Sequence, residues 1–446
     1  MNGGYRSMKM CFCYPYQGRR LLARFPLIAA IILLTCATAV SNTTDTAFVS
    51  RTTLTNILNN PISADGSVYD AKDSQGNEIT CAKVIDLTGQ TAKYAAVYYS
   101  PYAVSGGYRY KVNLATSSDL IHWQFVRTLV DNADMPDIKQ VTNGSWLILT
   151  HEQWINGGTD GPSTAPCQVA FELFYDTTDL LNGTIRASWL APSYVSDLNG
   201  TPNIYEADLV LYTNYWAADL VVGFHYWAGT NDENAYAAVH KFALPLGGTF
   251  WDPTNALVYN EDFANAGVND LGLRDNFTIS SGTYNVQEGN LGTPGGTWDE
   301  WRVFLYTYED TNIWPTGNGT VLQLSPQTPN GSFSFGAPCV SVIKSPTDNG
   351  NAMFVSYFIF TQGAGTGEAG DLIYYYNLSL PVLVTKISAD TLTLSWPSDY
   401  ASWHLEVQTN SLGTNWVTIP NIGGSNSYTN IINSTKETVF YRLAYP

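Results

Sequence analysis

The sequence predicts an all-β protein, a five-bladed β-propeller followed by a small C-terminal β-sandwich-like module. Three observations predict it: aromatic and β-branched runs stand where helical periodicity is absent, blade starts recur about every 68 residues, and the pattern changes near residue 381.

Composition sets the frame. Hydrophobic residues make up 45% of the 446, and aromatics reach 13%, with 13 Trp and 29 Tyr. Charged residues are only 13%, against about 25% in an average domain. That balance suits strands, and it suits surfaces on which flat rings stack against sugars. The formal net charge is −17. The first 24 residues hold Arg6, Lys9, Arg19, Arg20 and Arg24 and no acid, so the remainder carries about −22. Such a surface repels phosphate backbones and anionic lipid, which argues against nucleic-acid and membrane-surface partners.

The first element, residues 1–39, reads as a signal peptide. Basic residues precede the uncharged run Leu27 to Val40, and Ala37-Thr38-Ala39 supplies small residues for cleavage. The run is too short for a comfortable membrane span. A secreted or periplasmic protein with no membrane association after cleavage is expected, and a monomer. Cys11, Cys13 and Cys36 leave with the leader, and Cys81, Cys167 and Cys339 remain. Three cysteines allow at most one disulfide within the chain, and their spacing excludes a zinc site built from cysteine.

The propeller is expected over residues 45–381. Five strong strands carry it: Tyr94 to Tyr99, Trp146 to Thr150, Leu220 to Trp227, Trp301 to Tyr308 and Met353 to Phe360. Met135-Pro136-Asp137-Ile138, Thr201-Pro202-Asn203-Ile204 and Ala337-Pro338-Cys339-Val340 mark three blade starts. Their prolines stand 66 and then 136 residues apart, which leaves room for a start near Asp270, in Leu271 to Thr278. One step back from Pro136 lands on Asp70. A proline at the head of an inner strand forgoes its N–H without breaking a ladder. An N-terminal strand such as Ala47 to Leu54 is expected to complete the last blade, since an open ring exposes two edges.

Residues 385–446 form the last element, with short strands at sandwich spacing. Leu394-Ser395-Trp396-Pro397, Gln408 to Trp416 and Phe440-Tyr441-Arg442-Leu443 resemble a small all-β module at the C-terminus of many secreted bacterial proteins.

The stretch Ala115-Thr-Ser-Ser-Asp-Leu-Ile-His-Trp123, together with the blade starts, resembles the five-bladed glycoside hydrolases, the arabinanase, arabinofuranosidase and β-xylosidase group and its invertase relatives. Ser118, Asp119 and Trp123 make a turn and a packing contact, so this motif marks the fold. The resemblance implies acidic side chains around a central tunnel: a general base on water, a general acid on the glycosidic oxygen, and a third carboxylate tuning the acid. It implies a neutral plant or algal poly- or oligosaccharide as substrate. No cofactor is required by it, and a structural calcium in the tunnel is compatible with it, its ligands unidentified.

Acids near the blade starts are the candidates. Glu206 is expected as general acid, Asp137 or Asp70 as base, and Asp275 or Glu288 as modulator or substrate ligand. Asp70 precedes Ala71, where the resembled enzymes carry an Asp-Pro pair. Glu152 and His151 follow the second start, although strand alternation puts them on opposite faces. Arg274 is placed to orient a carboxylate or to pair with Asp275. Trp154, Tyr205, Trp216 and Trp227 are candidate sugar platforms, and His225 is read as a core histidine.

Isolated acids more often cap turns than catalyse. The alternative function is therefore a non-catalytic carbohydrate-binding or adhesion propeller, which the missing Asp-Pro pair favours. A sialidase-like activity is weakened by the lack of an arginine triad. The chain has no Gly-x-Ser-x-Gly elbow, no His-Glu-x-x-His, no phosphate loop and no dinucleotide fingerprint.

Overall fold

The computed structural model describes residues 49–87, 90–105, 107–155, 166–243, 248–279, 281–293, 296–309, 318–347, 350–378, 384–388, 391–396, 404–409, 416–420, 426–431 and 439–444; the side chains of Leu273, Arg274, His404, Thr409 and Ala444 are not described. The expected signal peptide lies outside these residues. Among the described residues no helix is long and apolar enough to cross a membrane. The chain divides into two compact units, Thr43–Leu380 and one that holds Pro381–Pro446.

The larger unit is all-β and propeller-like. It opens with helix α1 (Arg51–Asn59), capped by the Ser50 hydroxyl on the Thr53 amide, and strand β1 (Gly66–Tyr69). Four antiparallel sheets follow in chain order. The first is β2 (Thr80–Asp86), β3 (Tyr94–Val104), β4 (Gly107–Ser117) and β5 (Gln124–Asp131). The second is β6 (Ala133–Gln140), β7 (Leu147–Trp154), β8 (Cys167–Phe174) and β9 (Ala187–Leu190), with helix α2 (Thr177–Asn182) between the last two. The third is β10 (Asn199–Tyr212), β11 (Tyr215–Trp227), β12 (Asp232–Phe242) and β13 (Phe250–Asn255). After helix α3 (Leu257–Asn265) come β14 (Asp270–Ile279), β15 (Gly282–Asn290), β16 (Trp301–Tyr308) and β17 (Gly319–Gln323). The last sheet joins β18 (Phe335–Lys344), β19 (Asn351–Ile359) and β20 (Gly370–Leu378) to β1, which pairs with β20 from Gly66↔Tyr375 to Tyr69↔Leu372.

Thus β1 completes the last sheet, and the N-terminal stretch expected to do so is helical from Arg51. Its Leu54, Ile57 and Leu58 are buried against the fourth and fifth sheets. The first strands pack in succession, β2 on β6, β6 on β10, β10 on β14, β14 on β18 and β18 on β2. Each junction between successive sheets holds its own apolar cluster. Strands covered on both faces read as continuous apolar runs, as in Tyr94 to Tyr98, each of whose residues is buried.

All five first strands share one irregularity. Two residues stand unpaired between Thr80 and Lys83, Asp134 and Asp137, Gly200 and Asn203, Leu271 and Arg274, and Gly336 and Cys339. Pro136, Pro202 and Pro338 sit inside this bulge, where no ladder bond is forfeited. Cys81, Met135, Thr201 and Ala337 take positive φ there. The first sheet builds the same bulge from Cys81-Ala82, without proline, so a step back from Pro136 overshoots it. Asp70 therefore follows β1 at the far edge of the last sheet and is no blade start. The fourth strong run, Trp301 to Tyr308, is likewise a third strand; the other four fall on second strands.

The smaller unit has two three-stranded sheets. One orders β21 (Val384–Ser388), β22 (Thr391–Ser395) and β25 (Ser427–Ile431); the other orders β24 (Val417–Thr418), β23 (His404–Thr409) and β26 (Val439–Ala444). Leu392, Leu394, Trp396 and Leu405 form its core.

Candidate functional site

The first strands bring opposite charges together at their common centre. Lys83 Nζ of β2 lies 2.6 Å from both carboxylate oxygens of Asp275 on β14 and 3.8 Å from Asp137 Oδ1 on β6. It also donates to the Val340 carbonyl of β18 at 3.0 Å. The Ile204 amide of β10 donates to Asp137 Oδ2 at 2.6 Å, and the Val340 amide to Asp275 Oδ2 at 2.7 Å. All five first strands thereby meet in one buried network. Burial works to strip the Lys83 proton, but Asp275 and Asp137 outweigh it and hold the ammonium above the ordinary lysine range. Burial pushes the Asp275 carboxyl up to about 6, against the pull of Lys83.

One side of this network opens into a cavity of about 340 Å³ lined by Lys83, Asp137, Lys139, Asn276, Ser341 and Lys344 among others. Glu206 is exposed and is not among its lining residues. The register shift between Ile204 and Glu206 separates its side chain from the buried network. On the other side, Cys81, Ala337 and Cys339 form an apolar cluster, with Tyr99, Met135 and Phe358 packed against it.

A second group of acids gathers where the first strands begin. Asp134 and Glu152 are directly paired across β6 and β7, and both are buried. Opposed residues of an antiparallel pair share a face. The Trp154 indole donates to Asp134 Oδ2 at 3.0 Å, and the Thr201 amide, inside the β10 bulge, donates to Glu152 Oε2 at 3.1 Å. Gly200 gives Glu152 its room, since a Cβ there would stand 2.0 Å from Glu152 Oε2 and 2.9 Å from His225 Nε2. Burial raises the Glu152 carboxyl above the usual glutamate range, with His225, Cys167 and the Thr201 amide opposing.

Beside it, Asp270 Oδ1 accepts the Asp232 amide at 2.9 Å, and burial together with Asp270 pushes the Asp232 carboxyl up to about 8. Glu288 of β15 accepts the Ala337 amide of the β18 bulge, repeating the Glu152 arrangement two sheets on. At the same end of the fourth sheet Trp298 is 50% exposed. Its ring stacks on Phe360 at 5.0 Å and on Trp301 at 5.9 Å, and those two lie 6.3 Å apart. Both partners therefore stand on one side of the half-exposed indole.

The expected residues are thus divided. Asp137 and Asp275 come together, but around Lys83. Glu152 and Trp154 share a face with Asp134, which sequence reasoning passed over. Asp70 is exposed and paired with Lys72 at 2.8 Å. His151 is fully buried on the opposite face from Glu152, 3.6 Å from Glu172. Tyr205 is buried in a hydrogen-bonded cluster with Asn285 and Tyr308, so it offers no platform. The Arg274 side chain lies outside the described residues. Among the described residues no group of three or more His, Cys, Asp or Glu is placed to hold a metal ion, and Asp275 and Asp137 already face the Lys83 ammonium. The signal for Lys83 is a lone lysine inside Thr80-Cys-Ala-Lys-Val-Ile-Asp86, otherwise a half-buried strand.

No family profile matches the chain, and no curated protein does. Several solved structures are similar to it. A thermostable family-43 glycoside hydrolase is 12% identical with a TM-score of 0.39, covering 74% of this chain and 96% of that one. The α-L-arabinofuranosidase from Lactobacillus brevis is 8% identical with a TM-score of 0.38, over 71% and 95%. The family-93 α-L-arabinofuranosidase of Fusarium graminearum, in complex with arabinobiose, is 10% identical with a TM-score of 0.37, over 75% and 92%.

Proposed function

We propose that the protein is a secreted glycoside hydrolase-like protein, with residues 45–381 as a closed five-bladed propeller, that acts on a neutral plant or algal poly- or oligosaccharide. The observation that carries this reading is Glu152, a buried carboxyl with raised proton affinity. Next to it stand a second carboxylate, Asp134, and an indole, Trp154. Glu152 is the proton donor to the glycosidic oxygen, and Asp134 is its partner carboxylate. Asp137 and Asp275 are assigned to holding the axis, and Glu206 to the surface.

The test is hydrolysis of a panel of neutral polysaccharides, read as released reducing sugar. Replacing Glu152 by Gln should cut turnover at least 100-fold and leave the fold intact. Undiminished turnover would remove the assignment.

A second reading, a non-catalytic carbohydrate-binding propeller, is favoured by one observation: Lys83 and the Cys81, Ala337 and Cys339 cluster close the axis where paired carboxylates are expected to face a substrate. Retention of the same glycans without any release of sugar would establish it.

A further inference from the structure

We propose that Cys81 and Cys339 form a disulfide that fastens the first sheet to the last. Cys81 lies in the bulge of β2, 1% exposed, and Cys339 lies on β18, 4% exposed. The two strands pack directly on each other. With Ala337 the two cysteines make up one buried cluster, in which both stand as free thiols and Cys81 Sγ lies 3.7 Å from Met135 Sδ. Cys167 is on β8, and its thiol partner is the Glu152 carboxylate. Of the three pairings open to these cysteines, only Cys81 with Cys339 joins groups that meet.

The geometry gives this bond a purpose. The meeting of β18 with β2 joins parts of the chain far apart in sequence, so a link there removes conformational freedom from the whole unfolded body. The bond forms as both S–H bonds break; two protons and two electrons pass to a small disulfide oxidant such as oxidised glutathione, which leaves as two thiols. Burial holds the Cys81 thiol well above its ordinary range, so little thiolate exists once the cluster has closed. The exchange therefore belongs to folding, before Tyr99, Met135 and Phe358 cover the sulfurs.

Peptide mapping tests this directly. The full chain is folded in a glutathione redox buffer, denatured, alkylated with iodoacetamide and digested. The expected result is one linked peptide pair carrying Cys81 and Cys339, with Cys167 alkylated. Alkylation of both Cys81 and Cys339, or a bridge from either to another cysteine, overturns the proposal. Reduction should also lower the unfolding midpoint of the wild type by several degrees, and leave a Cys339→Ala variant unmoved by reductant. Should that variant fail to fold, the wild-type peptide map still decides.

Discussion

The Lys83 ammonium stands 2.6 Å from each carboxylate oxygen of Asp275 and 3.8 Å from Asp137, so one cation from the first sheet serves two anions from the second and fourth. Removing one partner of a buried pair strands the other charge, at a cost of about 3–5 kcal/mol. Lys83→Met should lower stability by that order in urea unfolding. Adding Asp275→Asn to it should recover part of the loss. An unchanged midpoint in the single variant would mean that the charges are not coupled as drawn.

Stability should depend on pH through Asp232. Its carboxyl is pushed up to about 8 from an ordinary 3.8, so the folded chain binds this proton more tightly than the unfolded chain does. The contribution is complete below about pH 4 and is lost as pH rises towards 8. Asp232→Asn, neutral throughout, should flatten that part of the profile by several kcal/mol, about 1.4 kcal/mol for each pH unit crossed. Unfolding midpoints of both proteins between pH 4 and pH 8 give the comparison; parallel profiles contradict it.

Gly200→Ala should act as a displacement of Glu152, because the added methyl falls on its carboxylate. Loss of glycan turnover or binding, with unfolding lowered by about 2 kcal/mol, is expected. A crystal structure of the variant with Glu152 still on the Thr201 amide would show that the site tolerates it.

Glu206→Gln should leave turnover and binding within twofold of the wild type, since that side chain is exposed. Trp298→Ala should weaken glycan retention about tenfold, worth roughly 1.4 kcal/mol, and lower the unfolding midpoint by only a few degrees, through its stacking on Phe360 and Trp301. Affinity electrophoresis in glycan-containing gels separates the two variants.

Much of the fold was legible because doubly covered strands leave unbroken apolar runs, and because a proline in the bulge recurs at Pro136, Pro202 and Pro338. The first sheet escaped for the same reason in reverse: Cys81-Ala82 makes the bulge without proline, so the step landed on Asp70. The candidate site was legible by halves. Glu152 and Trp154 stand close in sequence, whereas the partnership of Asp137 and Asp275 with Lys83 depends on strands from three sheets. Spacing along one strand says which residues share a face, and it is silent on which lysine another sheet delivers to them.

The pairing of β1 with β20 has a consequence for biosynthesis. Residues Gly66 to Tyr69 emerge early and have no partner until Gly370 to Leu378 have been made. The nascent body therefore carries an unsealed seam for nearly its whole synthesis, with bare strand edges at both flanks. A chain stopped before Gly370 keeps that seam permanently, and it should be recovered in inclusion bodies or bound to holdase chaperones.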